Sequence, residues 1–487
     1  MHTTEENKPS NCRENLARHL VSIIAIVFPL CVSNSYAGTW DIFPSIVTSL
    51  GYTDNVRLDP PGEEQDDFIL QLNPGIAATY QTPTTIFAVD YRMQNVFYKE
   101  ISDADNTYHQ LQAGGNVEFV RERAFVDASV TLDQNLLDPS ERASSNLTPT
   151  ESIDDVLTYS ITPYYREGIS DSVTGEIRYT FGEVKFIETD EKGTLNSVVG
   201  LLASDDSNTR FSWIASAKSR DIEYTTGEQV AVDRVEVELR QRIAPTLRMF
   251  GVVGYESTEI NVEDAEEPDG PLYRIGVSWA TSPRTTMELA VGENPFGPGG
   301  YGRIQSQTAS TYLLAEYNQD ITTVTEELLI SPVFERIDSL GNPIERGELT
   351  AAGVTIPEVV VDPFYDQSFD LIFTVRAFAA LTSVELYHTE REFLISREKE
   401  RFYGGRLSWD WRFGARTNVE LYTAYRWEDL LSGQQGDEIR EWGLVGDKAI
   451  TPRLIGTAGY RNFRNDSVLA EFQSEENVLF VQIRKDF

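Results

Sequence analysis

The chain has 487 residues, with 77 acidic against 41 basic side chains and a formal net charge of −36. Such acidity excludes a broad nucleic-acid surface, which needs Lys and Arg clustered against phosphate. Hydrophobic residues make up 40%, and no uninterrupted apolar run reaches the roughly 20 residues that a membrane-spanning helix requires.

Residues 1–37 read as a cleaved secretory signal. Arg13 and Arg18 precede an apolar core from Leu20 to Cys31, which closes at the small-residue site Ser35-Tyr36-Ala37. That core is too short to span a bilayer as a helix. Leu30 before Cys31 is too bulky for a lipoprotein cleavage site, so no lipid anchor is predicted. Cys12 and Cys31 are the two cysteines of the chain. Residues 38–487 are therefore expected to hold no disulfide, thiolate metal site or cysteine nucleophile.

After the signal, alternation with a period of two takes over. Residues 46–56 predict a first strand, 57–67 an acidic, proline-bearing loop, and 68–80 the returning strand. Phe87, Val89, Tyr91 and Met93 share one face of the next strand. The pattern continues through Leu111 to Val117, Val126 to Leu132, Val173 to Phe181, Val235 to Leu239, Leu247 to Tyr255 and Tyr273 to Trp279. It is clearest over 402–427, where Tyr403, Leu407, Trp409, Trp411 and Phe413 oppose Arg406, Ser408, Asp410 and Arg412. A break at 414–417 follows, and then Val419, Leu421, Tyr425 and Trp427 oppose Glu420, Tyr422 and Arg426. Successive strand side chains point to opposite faces, so this is a hairpin with one apolar and one polar face. Trp and Tyr at its ends suit a membrane–water interface, where the ring is half buried and its N–H or O–H stays wet.

About 22 such segments are expected, with 18 to 24 compatible and an even number required if both termini are periplasmic. Connections at 81–85, 120–123, 243–246, 281–285 and 450–453 are tight, and those at 136–155, 256–270, 428–438 and 464–476 are long. Short periplasmic turns against long extracellular loops is the asymmetry of an outer-membrane barrel. A soluble β-sandwich array or propeller has a similar composition, but a propeller repeats a blade-length unit, and none is found. Residues 256–270 hold seven acidic and no basic side chains, whereas the short turns carry Arg121, Arg123, Arg284, Arg416 and Arg453. The acidic loops either stay solvated or bind divalent cations beside lipopolysaccharide phosphates.

The longest break, 324–368, carries four prolines. It folds inward as a constriction or plug, or forms an external cap; both readings stay open. The chain ends on an amphipathic strand, with Leu479, Val481, Ile483 and Phe487 on one parity. An amphipathic last strand closing on a C-terminal Phe looks like the signal read by the outer-membrane barrel assembly machinery, with Phe487 as its key residue.

No catalytic, cofactor or metal residues are predicted. His109 and His388 share parity with apolar neighbours, so neither is placed to serve as a general base. There is no G-x-S-x-G, no P-loop and no histidine metal spacing. Gly297, Gly299, Gly300 and Gly302 read as a flexible loop, because no helical pattern follows them. The polar face offers a mixed ladder as candidate lumen lining: Asp90 and Arg92; Glu176 and Arg178; Arg234, Glu236, Glu238 and Arg240; and Arg406, Asp410, Arg412, Glu420 and Arg426. Such charges stiffen the wall by cross-strand pairing or form a selectivity surface for a hydrophilic solute.

At Trp40-Asp41-Ile42-Phe43-Pro44-Ser45, Gly51-Tyr52-Thr53-Asp54-Asn55, Leu72-Asn73-Pro74-Gly75-Ile76 and Asp90-Tyr91, the chain resembles the outer-membrane barrel proteins associated with PEP-CTERM/exosortase systems. The resemblance covers the mature chain and implies a single barrel near exopolysaccharide-export and protein-sorting functions, without catalytic residues or cofactors. The expectation is thus an all-β transmembrane antiparallel up-and-down β-barrel over 38–487, in the outer membrane of a Gram-negative bacterium. Its expected partners are lipid, lipopolysaccharide, the assembly machinery and an exopolysaccharide or periplasmic export component. A passive conduit is the leading expectation, a scaffold barrel plugged by 324–368 the second, and an outer-membrane hydrolase a remote third.

Overall fold

The computed structural model describes residues 38–136, 145, 147–149, 153–204, 210–263, 265–330, 362–429, 436–467 and 470–487. The signal expected at 1–37 lies outside them, as does most of the 324–368 insertion. Strands β1 (Thr39–Thr53), β2 (Asp67–Gln81), β3 (Thr85–Tyr98), β4 (Asn106–Val120) and β5 (Ala124–Leu136) begin the wall. Next come β6 (Ile153–Ser170), β7 (Val173–Phe186), β8 (Lys192–Ser204), β9 (Phe211–Tyr224), β10 (Gln229–Ala244) and β11 (Leu247–Ile260). They continue into β12 (Asp269–Ser282), β13 (Thr285–Asn294), β14 (Gly297–Gln307) and β15 (Thr311–Thr322). A short helix, α1 (Val324–Ile330), precedes β16 (Phe364–Ala377), β17 (Ala380–Phe393) and β18 (Lys399–Arg412). The wall ends with β19 (Thr417–Asp429), β20 (Asp437–Thr451), β21 (Leu454–Asp466) and β22 (Ser474–Asp486).

Each strand pairs antiparallel with its chain neighbour, and β22 pairs with β1 from Ser45↔Asp486 to Thr53↔Val478. The sheet is therefore a closed 22-stranded up-and-down barrel with no free edge. Closure is what lets strands cross a bilayer, because it leaves no edge strand whose backbone donors and acceptors face the hydrocarbon unpaired. Phe487 donates its backbone N–H to Pro44 O at 3.0 Å, which places the start of β1 and the end of β22 at the short-turn rim.

One parity runs unbroken around the ring. Leu50 pairs with Leu70 and Val481, Val235 with Tyr255, Val277 with Leu289, Leu407 with Val384, and Leu421 with Leu444. Most of these side chains are exposed, and among the described residues no second sheet packs on them. The outward face is thus the lipid face. On β18 the outer aromatic row has Tyr403 stacked on Trp427 at 4.8 Å, and the inner row has Trp409, Trp411 and Phe413 in series at 5.4 and 4.1 Å. Tyr403 and Trp411 stand about 27 Å apart along the strand, which matches an apolar band of roughly 25 Å once the strand tilts.

Several expectations need correction. The first strand spans Thr39–Thr53, not 46–56: Trp40 and Ile42 extend the outward row against Tyr80 and Ala78. Asn55 then turns the chain away, donating to Asp59 O at 2.8 Å and to Glu475 O at 3.0 Å. The glycine-rich 297–302 stretch is not a loop but the start of β14. Gly297 supplies a φ of +125° at the tight turn from Asn294, and a Cβ at Gly300 would stand 3.4 Å from the Tyr317 ring that covers it. The acidic 256–270 stretch is part strand, since Glu256 to Ile260 belong to β11. The break at 324–368 ends early, with the ladder resuming at Phe364.

Candidate functional site

All thirteen predicted lumen charges lie on the parity opposite to the lipid face. Arg178 meets Asp127 at 3.3 Å and Glu176 at 3.2 Å, and Arg406 meets Glu420 at 3.0 Å. Arg240 pairs with Glu238, and Arg426 reaches Glu428 at 3.1 Å. Asp90 and Arg92 on β3, and Asp410 and Arg412 on β18, occupy the same inward parity. The wall is therefore a mosaic of opposite charges, each lateral pair contributing about 0.2–1 kcal/mol. Aromatic rings are set into it: the Arg178 guanidinium lies 4.2 Å above the Tyr164 ring, and Arg406 lies 4.3 Å above Tyr422.

Both histidines face outward. His388 follows Leu386 on the lipid parity and pairs with Phe369 and Tyr403. His109 shares a hydrogen bond of 2.8 Å with the Tyr91 hydroxyl on the same outward face. The hydrolase expectation required one of them to face inward beside Ser or Asp, and that condition is not met.

Of the insertion, for which an inward and an external course were both open, the described start is α1, which enters the lumen at the long-loop end; residues 331–361 lie outside the described residues. Thr323 caps the helix, its hydroxyl accepting the Glu326 N–H at 3.1 Å, the N-terminal device expected of Thr three residues before Glu. Two inward glycines on the wall make room for it. A Cβ at Gly182 on β7 would stand 2.7 Å from Leu329 Cδ2, and one at Gly193 on β8 would stand 2.2 Å from Thr325 Oγ1. Leu328 and Leu329 pack on Val156, Val184 and Phe186 of β6 and β7. On its other flank, Val324 and Leu328 pack on Phe364 and Phe393 of β16 and β17.

Charge fixes the helix at both flanks. Glu326 binds Arg220 of β9 with both side chains 4% exposed, and takes a second contact from Lys218 at 3.3 Å. Arg220 also donates to Ile321 O at 3.1 Å. Glu327 meets Arg391 of β17 at 2.8 Å, and the Arg391 guanidinium stacks 4.7 Å over Phe364. Burial alone raises the Glu326 carboxyl, but Arg220 and Lys218 together hold it below the usual carboxylate range. For Glu327 burial prevails over Arg391, with Asp366 adding to it, and the carboxyl is pushed up to about 7. Below the helix, Arg234 of β10 reaches Glu256 at 3.3 Å and Asp320 of β15 at 3.5 Å. Strands five places apart around the ring thus touch through the interior.

A second inward element lies beside the seam. Leu58, fully buried, packs on the inward-facing Ile439 and Phe463 of β20 and β21, and Val56 joins Ile69, Val96, Tyr98 and Ile101. The Asp67 carboxylate fastens the neighbouring loop by accepting N–H groups from Phe68, Lys99, Glu100 and Ile101 at 2.7 to 3.2 Å. Asp54 of the Tyr52-Thr53-Asp54-Asn55 run accepts the backbone and side-chain N–H groups of Asn477 at 2.7 and 2.8 Å. That motif therefore stitches β1 to β22.

No protein-family profile and no curated sequence matches the chain. Solved structures do resemble it. The FrpB iron transporter from Neisseria meningitidis (F5-1 variant, apoprotein form) is 8% identical with a TM-score of 0.52, covering 92% of this chain and 81% of that one. The siderophore receptor PirA from Acinetobacter baumannii is 6% identical with a TM-score of 0.51, covering 93% and 81%. At these identities the likeness is one of fold: a barrel of the outer membrane of Gram-negative bacteria.

Proposed function

We propose that this barrel is a conduit for a hydrophilic solute, working in exopolysaccharide export alongside a PEP-CTERM/exosortase system, with α1 as the strap that closes its outer mouth. The observation that carries the reading is the pairing of a polar inner wall of interleaved opposite charges with a helix docked in that lumen. Such a wall, interrupted by Tyr164 and Tyr422, suits a hydroxyl-rich polymer. A strap anchored by Glu326 on Arg220 at one wall and meeting Arg391 at the other is a closure that can be released without unfolding the barrel. Two measurements test the reading together: ion conductance of the purified barrel in planar bilayers, and polysaccharide secretion by a deletion strain. Silence in the first with unchanged secretion in the second overturns it.

A second reading, a scaffold barrel that binds a periplasmic partner and never conducts, draws on the same strap and on the inward packing of Leu58. The two separate on one variant: releasing α1 opens a conduit and leaves a scaffold closed.

A further inference from the structure

We infer that the carboxylates gathered where α1 meets β16–β19 form a proton-operated latch: protonated, they seat the helix on the wall, and ionised, they drive it off. The inference rests on α1 being the closure described above, and it adds what operates that closure.

The two ends of the strap are built differently. At the β9 side a single helix carboxylate, Glu326, faces two cations, Arg220 and Lys218, and the next charges down, Glu256 and Asp320, lie within ion-pair distance of Arg234. Glu326, held below the usual carboxylate range by its two cations, stays ionised and holds. At the other side, Asp366, Arg391 and Glu400 form one lateral row across β16, β17 and β18 by register. Glu327 descends on Arg391 from the helix. Glu428 stands opposite Phe402, diagonal to Glu400, and is paired with Arg426. Four carboxylates therefore face two guanidinium groups, and Glu398 in the loop before β18 adds further negative charge beside Glu400.

Burial makes this surplus consequential. Glu400 is 2% exposed and Glu428 4% exposed, and among the described residues Glu400 Oε2 finds no hydrogen-bond donor. An uncompensated buried carboxylate is strongly disfavoured and takes up a proton instead. The species that neutralises such a surplus in the proposed latch is the proton. Glu327 is the member that leaves with the helix, and its carboxyl is pushed up to about 7 by burial. The sign follows. The docked state binds the Glu327 proton more tightly than the released state, whose carboxyl titrates near the ordinary value of about 4.5. Docking is thus favoured at low pH, weakens as pH rises from about 4.5 toward 7, and levels off above. The full swing in the docking equilibrium is up to about two orders of magnitude.

Amide hydrogen exchange of the α1 backbone, corrected for intrinsic rates, tests the latch without reference to conductance. In the intact barrel, protection at Leu328 and Leu329 is expected to fall at least about tenfold between roughly pH 5.5 and 8.5. In Glu327→Gln it is expected to stay high at both, and in Glu400→Gln the fall is expected to shrink. Heat-modifiable mobility on gels reports that each variant still folds. Equal protection at both pH values in the wild type overturns the inference, as does an undiminished fall in Glu327→Gln. Because the readout is helix docking alone, a barrel that never conducts refutes the conduit and leaves the latch standing.

Discussion

Glu326 and Glu327 are consecutive in the chain, yet the first binds Arg220 on β9 and the second Arg391 on β17. In a ring of 22 strands those positions lie on well-separated walls, so a one-residue step within a helical turn ties one side of the lumen to another. Residues adjacent in a helix point about 100° apart, which is what lets neighbouring carboxylates serve different walls.

The first consequence concerns the buried pair. Glu326→Ala leaves the buried Arg220 without its ion-pair partner, a loss of up to about 3–5 kcal/mol at that site. Limited proteolysis of the folded barrel should then cut near α1 far faster than in the wild type. The double variant Glu326→Leu with Arg220→Leu should recover most of the resistance, because the remaining contacts around Thr325 and Leu329 are apolar or neutral.

The second concerns the close approach of α1 to the wall. A Cβ at Gly193 would lie 3.2 Å from the Thr325 Cβ, slightly inside the spacing of about 3.5–4.5 Å that a disulfide spans. The native cysteines, Cys12 and Cys31, are confined to the first 37 positions. Gly193→Cys with Thr325→Cys should therefore cross-link under mild oxidation and lock the strap, read as a reducible gel shift and as loss of thiol labelling.

The third concerns the lipid face. Leu407 and Arg406 are neighbours on β18, but Leu407 points to hydrocarbon midway between the aromatic rows and Arg406 points to Glu420. Leu407→Arg should cost about 2–4 kcal/mol of barrel stability, measured by denaturant unfolding in lipid. Arg406→Gln should cost about 1 kcal/mol or less. Equal costs would mean that the two faces have been assigned the wrong way round.

Most of the barrel was legible because one physical rule, alternation between hydrocarbon and water, acts on every strand separately. Tyr403 to Phe413 and Val419 to Trp427 declare their faces without help from the rest of the chain. The same rule placed all thirteen charges on the inner parity, yet it did not find their partners: Asp127, Glu256 and Asp320 are brought to Arg178 and Arg234 by register and by the curvature of the wall. α1 escaped because seven residues give too little periodicity to stand out. Its signals were the Thr323-to-Glu326 spacing and two glycines, Gly182 and Gly193, that look like ordinary strand weaknesses until a helix fills them. The 297–302 glycines misled for the converse reason, since a strand can carry them when a ring such as Tyr317 covers the gap.

The fourth concerns the seam. Asp54→Ala removes two acceptor contacts from Asn477 where β1 meets β22. Each hydrogen bond to a charged group contributes about 1.5–3 kcal/mol, so closure should be the weak point of this variant. Hydrogen exchange should rise at β1 and β22 first, with β10 and β11 unchanged; uniform exchange around the ring would contradict that assignment.

The most direct test is single-channel recording of the purified barrel in planar bilayers, comparing wild type with Glu326→Ala/Glu327→Ala. A conduit closed by α1 predicts small, infrequent openings in the wild type and large, sustained conductance in the variant. No conductance from either protein, with both folded and inserted, would contradict it.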